Sequence, residues 1–134
     1  MKKLQTVQNS AVHLIRKRMN QQQISTDELL KRFHWLPVKK RISYKILLVV
    51  HKCLLGNAPR ALCEMLTMGA STRTKKLEER SFNGVMGERS FKVAGPKLWN
   101  LLPFNVRMEE NTEEFKKLLK TFLFQELDNS SSKF

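Results

Sequence analysis

Residues 37–56 read PVKKRISYKILLVVHKCLLG, and this stretch decides the fold. Proline suits the first turn of a helix, where its missing N–H has no intrahelical partner, and glycine suits the position just past a helix end. Between Pro37 and Gly56, the side chains Val38, Ile42, Ile46, Val49, Val50 and Cys53 recur at helical spacing as one apolar face. Leu47, Leu48, Leu54 and Leu55 fall outside that face, so this helix is apolar over most of its circumference and is expected at the centre of an all-α fold. Its narrow remaining side gathers Arg41, Lys45 and Lys52 within about 40° of one another.

Toward the N-terminus, Leu4, Val7, Ala11, Leu14 and Ile15 recur at intervals of three and four residues and predict an amphipathic helix over about 2–19. Ser25 with Glu28 forms a capping signal for a short helix that Trp35-Leu36-Pro37 stops near His34. Toward the C-terminus, Leu62, Met65 and Leu66 mark a short helix beyond Asn57-Ala58-Pro59, and the segment from about 67 to 89 reads mainly as loop. Ser90-Phe91-Lys92-Val93 alternates like a strand but is too short to found a sheet, and Gly95-Pro96 is expected to open a brief helix through Trp99. Asn111 with Glu114 makes a second capping signal, and Phe115, Leu118, Leu119, Phe122 and Leu123 predict a last helix ending near Leu127. The expectation is a single domain over 1–127 of about four to six helices, irregular near 67–93, with a disordered tail over 128–134.

Charge is the strongest compositional signal. Twenty-five Lys and Arg against twelve Asp and Glu leave a net charge of +13. Residues 1–60 hold thirteen basic and two acidic side chains, whereas residues 61–134 hold twelve and ten. A one-signed field on part of a molecule draws polyanions to that part, so non-specific RNA or DNA contact is assigned to Arg16, Lys17, Arg18, Lys39, Lys40, Arg41, Lys45 and Lys52. Glu109, Glu110, Glu113 and Glu114 turn the C-terminal region away from phosphate and suit a helix start.

Catalytic chemistry finds no purchase. Two-metal phosphoryl transfer needs clustered carboxylates, and the chain has only two aspartates, Asp27 and Asp128. His51 and Cys53 fall about 200° apart on a helix projection, which argues against a shared zinc with Cys63 and leaves a core cysteine and a surface histidine. Gly84 and Gly87 lack the lysine and hydroxyl residue of a phosphate loop. No catalytic residue, metal or cofactor is assigned. Trp35, Trp99 and Tyr44 are expected in the core rather than as base-stacking platforms. The two cysteines lack the spacing of a redox pair, which fits an intracellular setting, nucleus or cytoplasm. The longest apolar run, Ile46 to Val50, is too short for a bilayer, so no membrane partner is expected.

Several landmarks occur in order. Leu4-Gln5-Thr6-Val7-Gln8-Asn9-Ser10-Ala11, His34-Trp35-Leu36-Pro37-Val38 with Arg41, Ile42 and Lys45, and Gly56-Asn57-Ala58-Pro59 come first. Residues 89–103, RSFKVAGPKLWNLLP, and residues 115–124, FKKLLKTFLF, follow. Together they resemble the region behind the polymerase core of non-LTR (LINE-type) retrotransposon reverse transcriptases, over about residues 4–124. The resemblance implies an accessory, non-catalytic piece of an RNA-directed DNA polymerase, because the family's catalytic residues match no position here. The landmark residues His34, Trp35, Pro37, Pro96, Trp99 and Pro103 read as core and turn positions. Met1 just before the first landmark suggests a truncated element copy or a separate gene made from one, and the stretch from Lys17 to Thr26 departs from the family's pattern. The same residues leave two other readings open: a module that packs on a reverse-transcriptase core or host protein or on itself, and an inactive relic of a transposable element.

Overall fold

In the computed structural model, which describes residues 2–20, 23–81, 84, 87 and 89–131, every regular element is helical. Among these residues there are seven α-helices: α1 (Lys2–Arg18), α2 (Thr26–Arg32), α3 (Val38–Leu54), α4 (Arg60–Cys63), α5 (Phe91–Asn100), α6 (Phe104–Met108) and α7 (Thr112–Ser131). The all-α expectation is met, with one helix more than the upper number foreseen. The chain divides into two compact units: residues 1–42 with 123–134, and residues 43–122. Helices α3 and α7 each contribute to both.

In the first unit, Ser25 Oγ accepts the backbone N–H of Glu28 at 3.2 Å and starts α2 as its sequence foretold. The helix ends with His34 in the left-handed region (φ +54), where its N–H reaches the Lys31 carbonyl and that of Trp35 reaches the Leu30 carbonyl. Val12 of α1 is buried with Leu29 and Leu30 of α2, flanked by Ile24 and Phe33. Polar contacts add to this packing. Gln8 Nε2 donates to the Leu36 carbonyl at 2.9 Å, and Gln5 Oε1 accepts the Val38 N–H at 2.9 Å.

These two bonds explain why the stripe Leu4, Val7, Ala11, Leu14 is not the buried face of α1. The Val38 N–H, at the first position of α3, has no intrahelical acceptor and the Leu36 carbonyl lies in the linker before it; such groups demand partners once covered. Gln5 and Gln8 supply them, which turns the helix so that Leu4, Val7 and Leu14 are 60%, 67% and 70% exposed.

In the second unit, Gly56 (φ +74) caps α3 as expected: its N–H reaches the Cys53 carbonyl and the Asn57 N–H reaches that of Lys52. The buried side chains of α3 are Leu47, Val50 and His51. The inward side is therefore rotated from the predicted face, leaving Ile42 exposed and Ile46, Val49 and Cys53 half-buried. Around these lie Leu77, Val93, Trp99, Leu102, Val106, Phe115 and Leu119. Gly95 permits a close approach, since a Cβ there would stand 3.2 Å from Val50 Cγ2.

Residues 90–93 are not a strand. With no partner strand to bond, they join α5, and the N–H groups of Val93 and Ala94 bond back to the Ser90 carbonyl. The helix continues through Pro96. The loop expected over 67–89 carries a 3-10 turn at Thr72–Thr74 and a bridge from Met68 to Leu77, whereas Gly87 and Arg89 are helical. Asn100 clamps it by accepting the Leu77 N–H at 2.9 Å and donating to the Leu77 carbonyl at 2.8 Å. Residues 82, 83, 85, 86 and 88 of that segment lie outside the described residues.

Asn111 Oδ1 caps α7 by accepting the N–H groups of Glu113 and Glu114 at 2.9 and 3.2 Å. The helix passes the expected stop near Leu127 and reaches Ser131, with Asp128 ion-paired to Lys31, so residues 128–131 are helical rather than tail. Ser132 and the two residues after it lie outside the described residues.

Candidate nucleic-acid interface

Cations near a helix C-terminus are favoured by the helix dipole, which by itself accounts for Arg16, Lys17 and Arg18 in the last turn of α1. Arg16 is committed further: Nη1 donates to the Ile24 carbonyl at 3.2 Å, and Nη2 meets His13 Nδ1. It holds the turn after α1, whereas Lys17 and Arg18 are exposed. An open groove beside this end is lined by Ser10, His13, Leu14, Arg16 and Lys17.

Lys40 is half-buried and ion-paired with Glu126, while Lys39 and Arg41 are exposed. Farther along α3, Lys45 and Lys52 are exposed. Arg41, Lys45 and Lys52 share one stripe by helical spacing, on the side away from Leu47 and His51. Helix α3 contains no acidic residue. Six of the eight basic residues singled out from sequence are thus presented to solvent, and Arg16 and Lys40 are occupied by intramolecular partners.

The acidic cluster of the C-terminal half is occupied at the start of α7. Glu113 pairs with Lys116 and Glu114 with Lys117, each at 2.7 Å, and Glu109 Oε1 accepts the Asn111 N–H at 2.8 Å. The Lys116 ammonium holds the Glu113 carboxyl below its ordinary range, with Lys52 adding a weaker pull in the same direction.

His51 is not the surface histidine its position suggested. It is 2% exposed, stacked on Phe115 at 3.9 Å between ring centroids and tilted against Trp99. A flat ring is needed between α5 and α7, and its polarity is met on one edge only. Nε2 donates to the Glu109 carbonyl at 2.9 Å, and Nδ1 has no hydrogen-bond partner among the described residues. Burial lowers its pKa from 6.5, with Lys75 acting in the same direction, and keeps the ring neutral. His51, Trp99 and Arg107 line a small cleft of about 110 Å³ with Leu54, Leu55, Met68, Lys75 and Glu109.

Two further arrangements escaped the sequence. Arg107 is buried, its guanidinium donating to the carbonyls of Thr74, Asn100 and Leu102 at 3.1, 3.3 and 2.6 Å. Cys63 Sγ donates to the Ala58 carbonyl at 3.6 Å, and burial, with Cys63 acting in the same direction, pushes Cys53 up to about 12. Both are free thiols. Of the aromatic residues, Trp99 is in the core as expected, its Nε1 donating to the Lys75 carbonyl at 2.7 Å, and Tyr44 is half-buried. Trp35 departs from expectation: it is partly exposed beside Phe33.

No helix among the described residues is long and apolar enough to cross a membrane. No protein family, curated protein or solved structure matches the chain.

Proposed function

We propose that this protein is a non-catalytic nucleic-acid-binding accessory domain, related to the region behind the polymerase core of a LINE-type reverse transcriptase. The observation that carries the binding reading is the exposed basic stripe of α3. Three cations project from one side of a helix that bears no carboxylate, while the side away from them is fixed in the core. Lys17, Arg18 and Lys39 add exposed charge in the same basic half of the chain. Such a surface binds phosphates by releasing counterions and reads backbone rather than base sequence. The origin in a retrotransposon rests on the ordered sequence landmarks alone.

The test is fluorescence-anisotropy binding of labelled single-stranded RNA and duplex DNA across a salt series, with circular dichroism on the same sample. The expected log–log salt slope is near about −5, corresponding to roughly five or six neutralised phosphates. A helical protein that fails to bind at physiological salt overturns the proposal and leaves the charge as a solvated face.

A further inference from the structure

We infer that the outward face of α1 is a docking surface for a helix of another protein, one with a heptad-patterned apolar seam flanked by acidic side chains. Leu4, Val7, Ala11, Leu14 and Arg18 follow one another at intervals of three, four, three and four residues. That alternation places them in one narrow line along the helix, the arrangement with which one helix inserts knobs into the holes of another. Leu4, Val7 and Leu14 are 60%, 67% and 70% exposed, and the inward contacts of α1 are made by Gln5, Gln8 and Val12 instead. Isolated exposed aliphatic residues are ordinary, but Leu4, Val7 and Leu14 standing exposed in one line, with the half-buried Ala11 between them, are the mark of an interaction surface.

Charge selects the occupant. Helix α1 carries five basic residues and no acidic one. Lys3 and Lys17 precede Leu4 and Arg18, where flanking side chains of a helix pair meet their opposite numbers, and Arg18 stands within the line itself. A second copy of this chain would set these cations against their own kind, which disfavours self-pairing. An anionic lipid surface would satisfy the charge, but it calls for a broad apolar face with bulky side chains, and this line is one residue wide. A partner helix with Glu or Asp beside its apolar seam satisfies both the line and its flanks.

The test uses the full chain and two synthetic helical peptides of three heptads. Both have leucine at the seam positions; one has glutamate and the other lysine at the flanking positions. The acidic peptide is expected to bind at least about tenfold more tightly than the lysine peptide in anisotropy titrations. Val7→Ser with Leu14→Ser is expected to weaken it by at least about tenfold while helicity by circular dichroism is unchanged. Lys3→Glu with Lys17→Glu is expected to reverse the preference between the peptides. Equal binding of the two peptides, no binding of either, or wild-type affinity in the serine variant would each overturn the inference. Sedimentation showing a dimer abolished by the serine substitutions gives the face to a second copy, and phosphatidylserine-vesicle binding abolished by them, without peptide binding, gives it to lipid; either outcome also overturns it.

Discussion

Helices α1 and α3 are each seventeen residues long, each carries five Lys or Arg, and neither contains an acidic residue. They use the same ingredients in opposite ways. Helix α3 buries Leu47, Val50 and His51 and shows its cations to solvent on the other side. Helix α1 buries Val12 alone, spends glutamines on a neighbouring backbone and shows its aliphatic stripe to solvent. Apolar periodicity identifies a helix in both cases but states only that an apolar line exists. Which line faces inward is decided by what the surrounding chain must have satisfied.

The comparison breaks first, and by the largest amount, if the core side of α3 is dispensable. Leu47→Ala is expected to destabilise the fold by about 2–5 kcal/mol in urea denaturation, because the cavity left in a close-packed core collapses only in part. Arg107→Ala should follow at about 2–3 kcal/mol, since the buried Leu102 carbonyl and the part-buried carbonyls of Thr74 and Asn100 lose charge-assisted donors. An effect within noise for either would mean that this unit is loosely packed.

A smaller, pH-dependent effect is expected from His51. Its pKa is lowered in the folded protein, so on acidification below 6.5 the unfolded chain takes up the proton first. This contribution to stability is complete above 6.5 and is lost as pH falls from there through the lower folded pKa. Denaturation midpoints measured between pH 7 and 5 should decline, and His51→Gln should flatten that part of the profile at the expense of overall stability. A profile unchanged by the substitution would show that the buried ring is not what acid attacks.

On the outward sides the two helices should separate by readout. Replacing Arg41, Lys45 and Lys52 together by glutamine is expected to leave folding intact and to reduce the salt slope for RNA and DNA by about 2–3, weakening all sequences alike. Unchanged affinity would remove the α3 stripe from the interface. The smallest effect belongs to α1: Leu4→Ala, with the side chain 60% exposed, should change stability by less than about 0.5 kcal/mol. A loss of 2 kcal/mol or more would mean that Leu4 belongs to the core after all.

Much of the local structure was legible because its causes are local. Ser25, Gly56 and Asn111 each satisfy backbone groups within a few residues, and they cap where their sequence context said they would. The candidate cations were legible as charge, and six of the eight are exposed. Arg16 and Lys40 were not distinguishable from the rest, because their partners, the Ile24 carbonyl and Glu126, are set by how the chain folds back. The strand-like residues 90–93 misled because alternation reports side-chain spacing, while a strand also needs a neighbour to bond.

By itself, then, the sequence determined that this protein is helical, where its principal caps lie, and that its first sixty residues carry most of the excess positive charge; these follow from spacing, backbone chemistry and counting. The tertiary structure alone decided that α1 faces outward with its aliphatic line, that His51 lies flat and neutral against Phe115, and that Arg107 is surrounded by carbonyls. Each of these depends on partners up to dozens of positions away, and a periodic pattern carries no information about which distant backbone group will need a donor or which aromatic ring will need a neighbour.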